Sequence, residues 1–265
     1  MIREMKKQAR SLVFKNFKLF LLPVLLYSFS GFAASGSLYL FFHGEEIFKT
    51  SIFTGILLLG LFLIFGLCVS PLSVFLLFKA AVPLVNEKTR QDKQVVSPWL
   101  FKDIVKVVVI QLIPSLWHTM RSFLDSFTEQ QNVSQRDEVV FSVIVFLLFI
   151  SSEYLSYKFF ACNYHYVLKR DSIKSTLAFS FKTMQNTFLK YIVLRSSFLL
   201  WYLLGIVLAV VFSNALHISD FYARLLLSTG CGVYLYVWPY EYTTNALFIK
   251  RLSASKRKQR SKRGV

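Results

Sequence analysis

Lysine and arginine are almost absent from six long stretches of this chain and crowd into alternate gaps between them. About 20 mostly apolar residues suffice for a helix to cross roughly 30 Å of hydrocarbon, and a helix satisfies its own backbone groups there. The qualifying stretches are 19–42, 51–78, 107–120, 139–157, 196–212 and 225–249, the third being the shortest. Of 31 Lys and Arg, six precede the first stretch, six lie in the second gap with its flanks, seven in the fourth and eight after the last. The first, third and fifth gaps hold one, two and one. Basic residues collect on the cytoplasmic side of a membrane. The alternation therefore predicts an all-α, polytopic bundle of six transmembrane helices in the plasma membrane, with both termini cytoplasmic. The short third stretch is needed, because without it two gaps of opposite character would merge. Glu45, Glu46, Asp125, Glu129, Asp137, Glu138 and Asp220 fall in the gaps assigned to the outside.

Composition excludes other classes. Hydrophobic residues make up 55% of the 265 and Phe alone accounts for 28, beyond the usage of soluble domains. The net charge of +17 is explained by basic flanks meeting anionic lipid headgroups, so no nucleic-acid partner is expected. Cys68, Cys162 and Cys231 are far apart and form no CxxC, and His43, His118 and His217 have no ligand spacing. GxSxG, HExxH, P-loop and GxGxxG motifs are missing too. Neither a cofactor, a metal nor an enzymatic activity is predicted.

The uncharged run of 24 residues at 19–42 exceeds the apolar region of a cleaved signal, and so reads as a retained span. Its Gly31, Ala33, Ala34 and Gly36 suggest close helix contact. Residues 3–18 and 172–190 intersperse Lys and Arg with apolar side chains. They read as one or two interfacial amphipathic helices or as cytoplasmic extensions of neighbouring spans, with Asp171 placed to cap the second. Residues 1–252 form a single integral membrane domain in this reading, and 253–265 a disordered basic tail.

Charges inside the bilayer must be paired, hydrated or used. Glu153 and Glu241 are the two such charges, with Lys79 and Arg195 as the nearest counter-ions. Pro239 removes a backbone hydrogen bond just before Glu241 and, with Tyr240, completes the expected intramembrane polar site. That site is either a cytoplasm-facing pocket for an ion, proton or headgroup, or a buried structural ion pair.

The C-terminal third carries a resemblance. A basic amphipathic segment with Ser180 and Met184 leads into a span with Leu199, Leu200, Trp201 and Gly205, then Pro239-Tyr240 and Thr243, Thr244, Ala246 and Phe248. With Met5 to Ser11 at the N-terminal end, this order resembles a family of Gram-positive bacterial integral membrane proteins described as a domain of unknown function. The resemblance implies a six-span plasma-membrane protein and no particular activity; Glu241 departs from the family's pattern after Pro-Tyr. Function is accordingly expected to be non-enzymatic, as an accessory or scaffold subunit of an envelope, export or immunity system acting through lipids and an unidentified protein partner. The alternative is a small-solute or lipid transporter using Glu153 and Glu241.

Overall fold

A computed structural model describes residues 1–48, 52–86, 101–130, 135–215 and 232–262. Those residues form helices joined by short turns, with no strand among them. In chain order they are α1 (Ile2–Lys15), α2 (Lys18–Phe48), α3 (Ile52–Ile64), a π-turn (Phe65–Val69), α4 (Ser70–Val85), α5 (Phe101–Gln130) and α6 (Gln135–Phe159). There follow α7 (Cys162–Lys169), α8 (Ile173–Met184), α9 (Phe188–Ser196), α10 (Leu199–Ala215) and α11 (Gly232–Lys262).

Five described stretches are long and apolar enough to cross a membrane: Lys18–Phe41, Phe53–Val85, Phe101–Arg121, Val140–Lys169 and Phe188–Leu208. Leu22, Phe53, Ile56, Phe146, Leu200 and Val207 are all more than half exposed. Lipid solvates such faces at no cost and water does not, so the bundle is consistent with a multi-pass membrane protein. The sixth expected span, 225–249, starts outside the described residues and continues as the first half of α11. Here Tyr240, Glu241 and Thr243 to Ile249 are buried against protein rather than turned outward. α11 packs against α1, α2, α4, α8 and α10. A segment enclosed by other helices needs less hydropathy than one that faces outward, so its polar residues are tolerated there.

Several boundaries differ from the sequence reading. The third span begins at Phe101, drawing Lys102, Asp103 and Lys106 into the helix, where Asp103 is buried and accepts a 3.0 Å bond from the Tyr166 hydroxyl. The fourth breaks at Phe160 and Ala161 and resumes as α7. At that break α8 replaces lost backbone bonds: the Ala161 N–H donates to Ser180 Oγ at 3.1 Å, and that hydroxyl donates to the Lys158 carbonyl at 2.6 Å. The amphipathic stretch 172–190 is not one helix. α8 stops at Met184, Asn186 takes φ 58°, and α9 starts at Phe188.

Capping differs as well. Ser172, not Asp171, caps α8, accepting from the Ser175 N–H at 3.3 Å; Asp171 instead accepts from the Ser175 hydroxyl at 3.2 Å and pairs with His165 at 3.1 Å. The basic tail expected to be disordered continues α11 to Lys262. Its Lys256 Nζ donates to the carbonyls of Lys182 and Gln185 at 2.7 and 2.8 Å, satisfying the free C-terminal end of α8.

One end of the bundle gathers the basic elements. α1 buries Met5, Ala9 and Val13 at four-residue spacing against α11. Arg251 pairs with Glu4 at 3.6 Å, and Lys250 donates to the Val85 carbonyl at 2.7 Å.

Candidate functional site

A cavity of about 420 Å³ lies inside the bundle, walled by α2, α3, the π-turn, α4, α5, α6, α7, α9 and α11. Irregular backbone surrounds it. The π-turn puts Gly66 on the wall beside Ser70 and Pro71, and Pro114 lies within α5 on the same wall. π-turns are frequent where a helix is widened around a site, and a helix-internal proline leaves a carbonyl one turn earlier without its usual donor. Gly66 permits a close helix approach: a Cβ there would meet Thr119 Oγ1 at 2.9 Å. Gly31, which the sequence suggested for close contact, faces the cavity instead, and a Cβ on it would meet nothing within 4 Å.

Arg195 is the cation of the wall, projecting from the last turn of α9. Its Nη1 donates to Glu241 Oε1 at 2.9 Å, and the second Glu241 oxygen accepts from the Tyr202 hydroxyl. The Glu241 side chain is 4% exposed and lies behind the wall, whereas that of Arg195 is 45% exposed. One N–H of the guanidinium is thus committed to Glu241. Among the described residues its other donors have no hydrogen-bond partner.

The amide side chains complete the polar face. Gln111 Nε2 donates to Asn163 Oδ1 at 3.1 Å, tying α5 to α7. Asn245 from α11 is 2% exposed and its Oδ1 has no hydrogen-bond partner among the described residues. Apolar Leu38, Phe62, Phe78, Phe159 and Phe160 also line the cavity.

The six residues of the expected polar site separate. Glu241 and Arg195 meet. Glu153 lies on α6 within electrostatic reach of Arg195 and His118, but makes no hydrogen bond or ion pair among the described residues. Lys79 contacts neither carboxylate and lies near Arg170. Pro239 and Tyr240 do not line the cavity. Tyr240 packs edge-on against Phe198 at 5.2 Å and stacks on Tyr236 at 6.0 Å.

A second arrangement adjoins this one. α9 ends at Ser196 and α10 starts at Leu199, and Lys6 from α1 reaches the break. Its Nζ donates to the Ser197 carbonyl at 2.6 Å and to Ser197 Oγ at 3.2 Å, and lies 4.3 Å from the Phe198 ring centre. Burial holds the Lys6 ammonium below its ordinary pKa range, partly offset by the Glu241 carboxylate.

Among the described residues no group of His, Cys, Asp and Glu could hold a metal ion. Cys231 and His217 lie outside the described residues. Comparison with family models, curated proteins and solved structures found no match for the chain.

Sequence reasoning missed Tyr202, Asn245, Gln111, Asn163 and Lys6. Gln111 and Asn245 did leave a signal, as uncharged amides inside apolar runs; an amide in hydrocarbon needs a partner as a carboxylate does.

Proposed function

We propose that the chain is a six-span plasma-membrane protein with both termini cytoplasmic, and that it binds and carries a small polar solute through the central cavity. One observation carries this: Arg195 stands on a cavity wall inside a lipid-faced bundle, neutralised from behind by Glu241 and still holding donors that no described residue uses. A charge that only stabilised the fold would be enclosed by its partners. The volume lies in the range of small-molecule sites. Broken helices beside the cavity, α6–α7 and α9–α10, resemble the way transporters expose backbone groups at a midplane site.

Clustering of α1, α8 and the basic end of α11 supports the positive-inside orientation. Those helices are read as the amphipathic elements at the cytoplasmic interface, meeting anionic lipid. The resemblance to the Gram-positive membrane family fits the same arrangement. The basic platform of α1 and α11 favours a second reading, an accessory subunit that binds a protein partner there.

Proteoliposomes incubated with an isotope-labelled extract of small metabolites should accumulate a solute saturably. Gly31→Leu, which fills the cavity from open space, should abolish the uptake. No accumulation above empty liposomes, together with a specific companion retained through mild-detergent purification, would return the protein to the accessory class. For topology, a cysteine at Arg136 should react with an impermeant reagent from outside intact cells and one at Lys7 should not.

A further inference from the structure

We infer that the cavity takes an oxyanion that also carries an O–H or N–H donor, a class that includes small hydroxy acids and the glycerol phosphate headgroup of an anionic lipid. This inference rests on the cavity's being the solute site.

The lining supplies complementary groups. Arg195 presents guanidinium N–H donors that no described residue uses, and a guanidinium fork is shaped for carboxylate or phosphate. Glu241 does not compete for a ligand donor, because Arg195 and Tyr202 occupy its two oxygens and it lies behind the wall. Asn245 offers the opposite polarity. Its Oδ1 is buried beside the same wall with no hydrogen-bond partner among the described residues, a costly state for an acceptor, and rotation of the amide would turn that oxygen to a ligand hydroxyl or amine.

Electrostatics narrows the class further. Glu153 adds negative potential near Arg195, which penalises each negative charge on a ligand and so disfavours a dianion about twice as strongly as a monoanion. The phenyl groups of Phe62, Phe78, Phe159 and Phe160 leave room for a carbon skeleton.

Three probes separate the two polar demands. Glycerate has a carboxylate and hydroxyls, propionate a carboxylate alone, and glycerol hydroxyls alone. Calorimetric titration of the protein in phosphatidylcholine nanodiscs should show saturable glycerate binding, with propionate and glycerol each weaker by about tenfold or more, the equivalent of one hydrogen bond to a charged group. Asn245→Leu should reduce glycerate to the level of propionate. Arg195→Gln combined with Glu241→Gln should reduce it to the level of glycerol; the double replacement avoids a lone buried carboxylate and keeps the fold testable.

A second arm uses nanodiscs containing phosphatidylglycerol. If the headgroup is the natural occupant, that lipid suppresses glycerate binding and is retained on purification; if the ligand is a free solute, glycerate binds equally in both discs. Equal binding of all three probes, abolished by Gly31→Leu, overturns the oxyanion inference and leaves the cavity site standing. Absence of binding by every probe, with no effect of phosphatidylglycerol, overturns both.

Discussion

The Lys6 ammonium lies 2.6 Å from the Ser197 carbonyl, bridging the N-terminal helix to the break that separates α9 from α10. That break follows two residues after Arg195, so α1, which precedes the first apolar stretch, holds the backbone that positions the cavity cation.

Replacing Lys6 by Met should therefore loosen the break rather than the whole bundle. The Ser197 carbonyl loses its donor, a loss of about 1 kcal/mol. Hydrogen–deuterium exchange should accelerate at residues 197–202 and remain unchanged in α4 and α5; uniform acceleration would mean that α1 serves only general packing. The pH dependence has a defined sign. Burial lowers the folded-state pKa of Lys6, so between the folded and unfolded values the unfolded chain holds more protons and stability rises with pH. Wild type should show that alkaline increment, and Lys6→Met should lack it.

Arg195 and Glu241 should behave as a coupled unit. Arg195→Gln strands a carboxylate that is 4% exposed, and Glu241→Gln removes the charge that neutralises Arg195 and leaves an amide with one N–H₂ group between the Arg195 and Tyr202 donors. Each single variant should lower the thermal midpoint more than the double variant does, with a coupling energy on the order of 1–2 kcal/mol, the upper part of the range measured between membrane helices. Additive losses would remove the pair from the structural account.

Much of the bundle was legible because lipid imposes simple rules. The apolar faces of α2, α3, α6 and α10 have to face outward, and their long apolar runs with few charges announced them. Breaks and packed surfaces were less legible. The α6–α7 break depends on Ser180, 19 residues beyond the Ala161 N–H it satisfies, and no local pattern records that pairing. Arg195 was visible as a charge at a span end, but its partner is 46 residues away. Lys79, equally visible, lies near Arg170 instead. Charge content named the candidates, and only packing could choose between them.

Two glycines should respond oppositely to alanine. Gly66→Ala brings a methyl group to 2.9 Å from Thr119 Oγ1, an overpacking that costs about 1–3 kcal/mol. Thr119→Ala in the same chain removes the obstructing hydroxyl and should restore most of the loss. Gly31→Ala meets only open space, so the helix-propensity gain of about 0.5–1 kcal/mol should appear as a raised thermal midpoint. Equal destabilisation at both positions would contradict the cavity's placement beside α2.

Asn245→Leu tests whether the cavity is organised for a ligand or for the fold. A buried amide oxygen with no partner destabilises the unliganded protein by about 1–3 kcal/mol, and the Asn245 Oδ1 has none among the described residues. Leucine has nearly the same shape and makes no such demand, so the variant should melt higher than wild type in the absence of added solute. In the presence of glycerate the order should narrow or reverse, because only wild type gains from binding. Natural sequences retain such groups at functional sites at the expense of stability. A variant that melts lower than wild type would show instead that Asn245 is satisfied within the fold, and the donor half of the ligand assignment would fall with it.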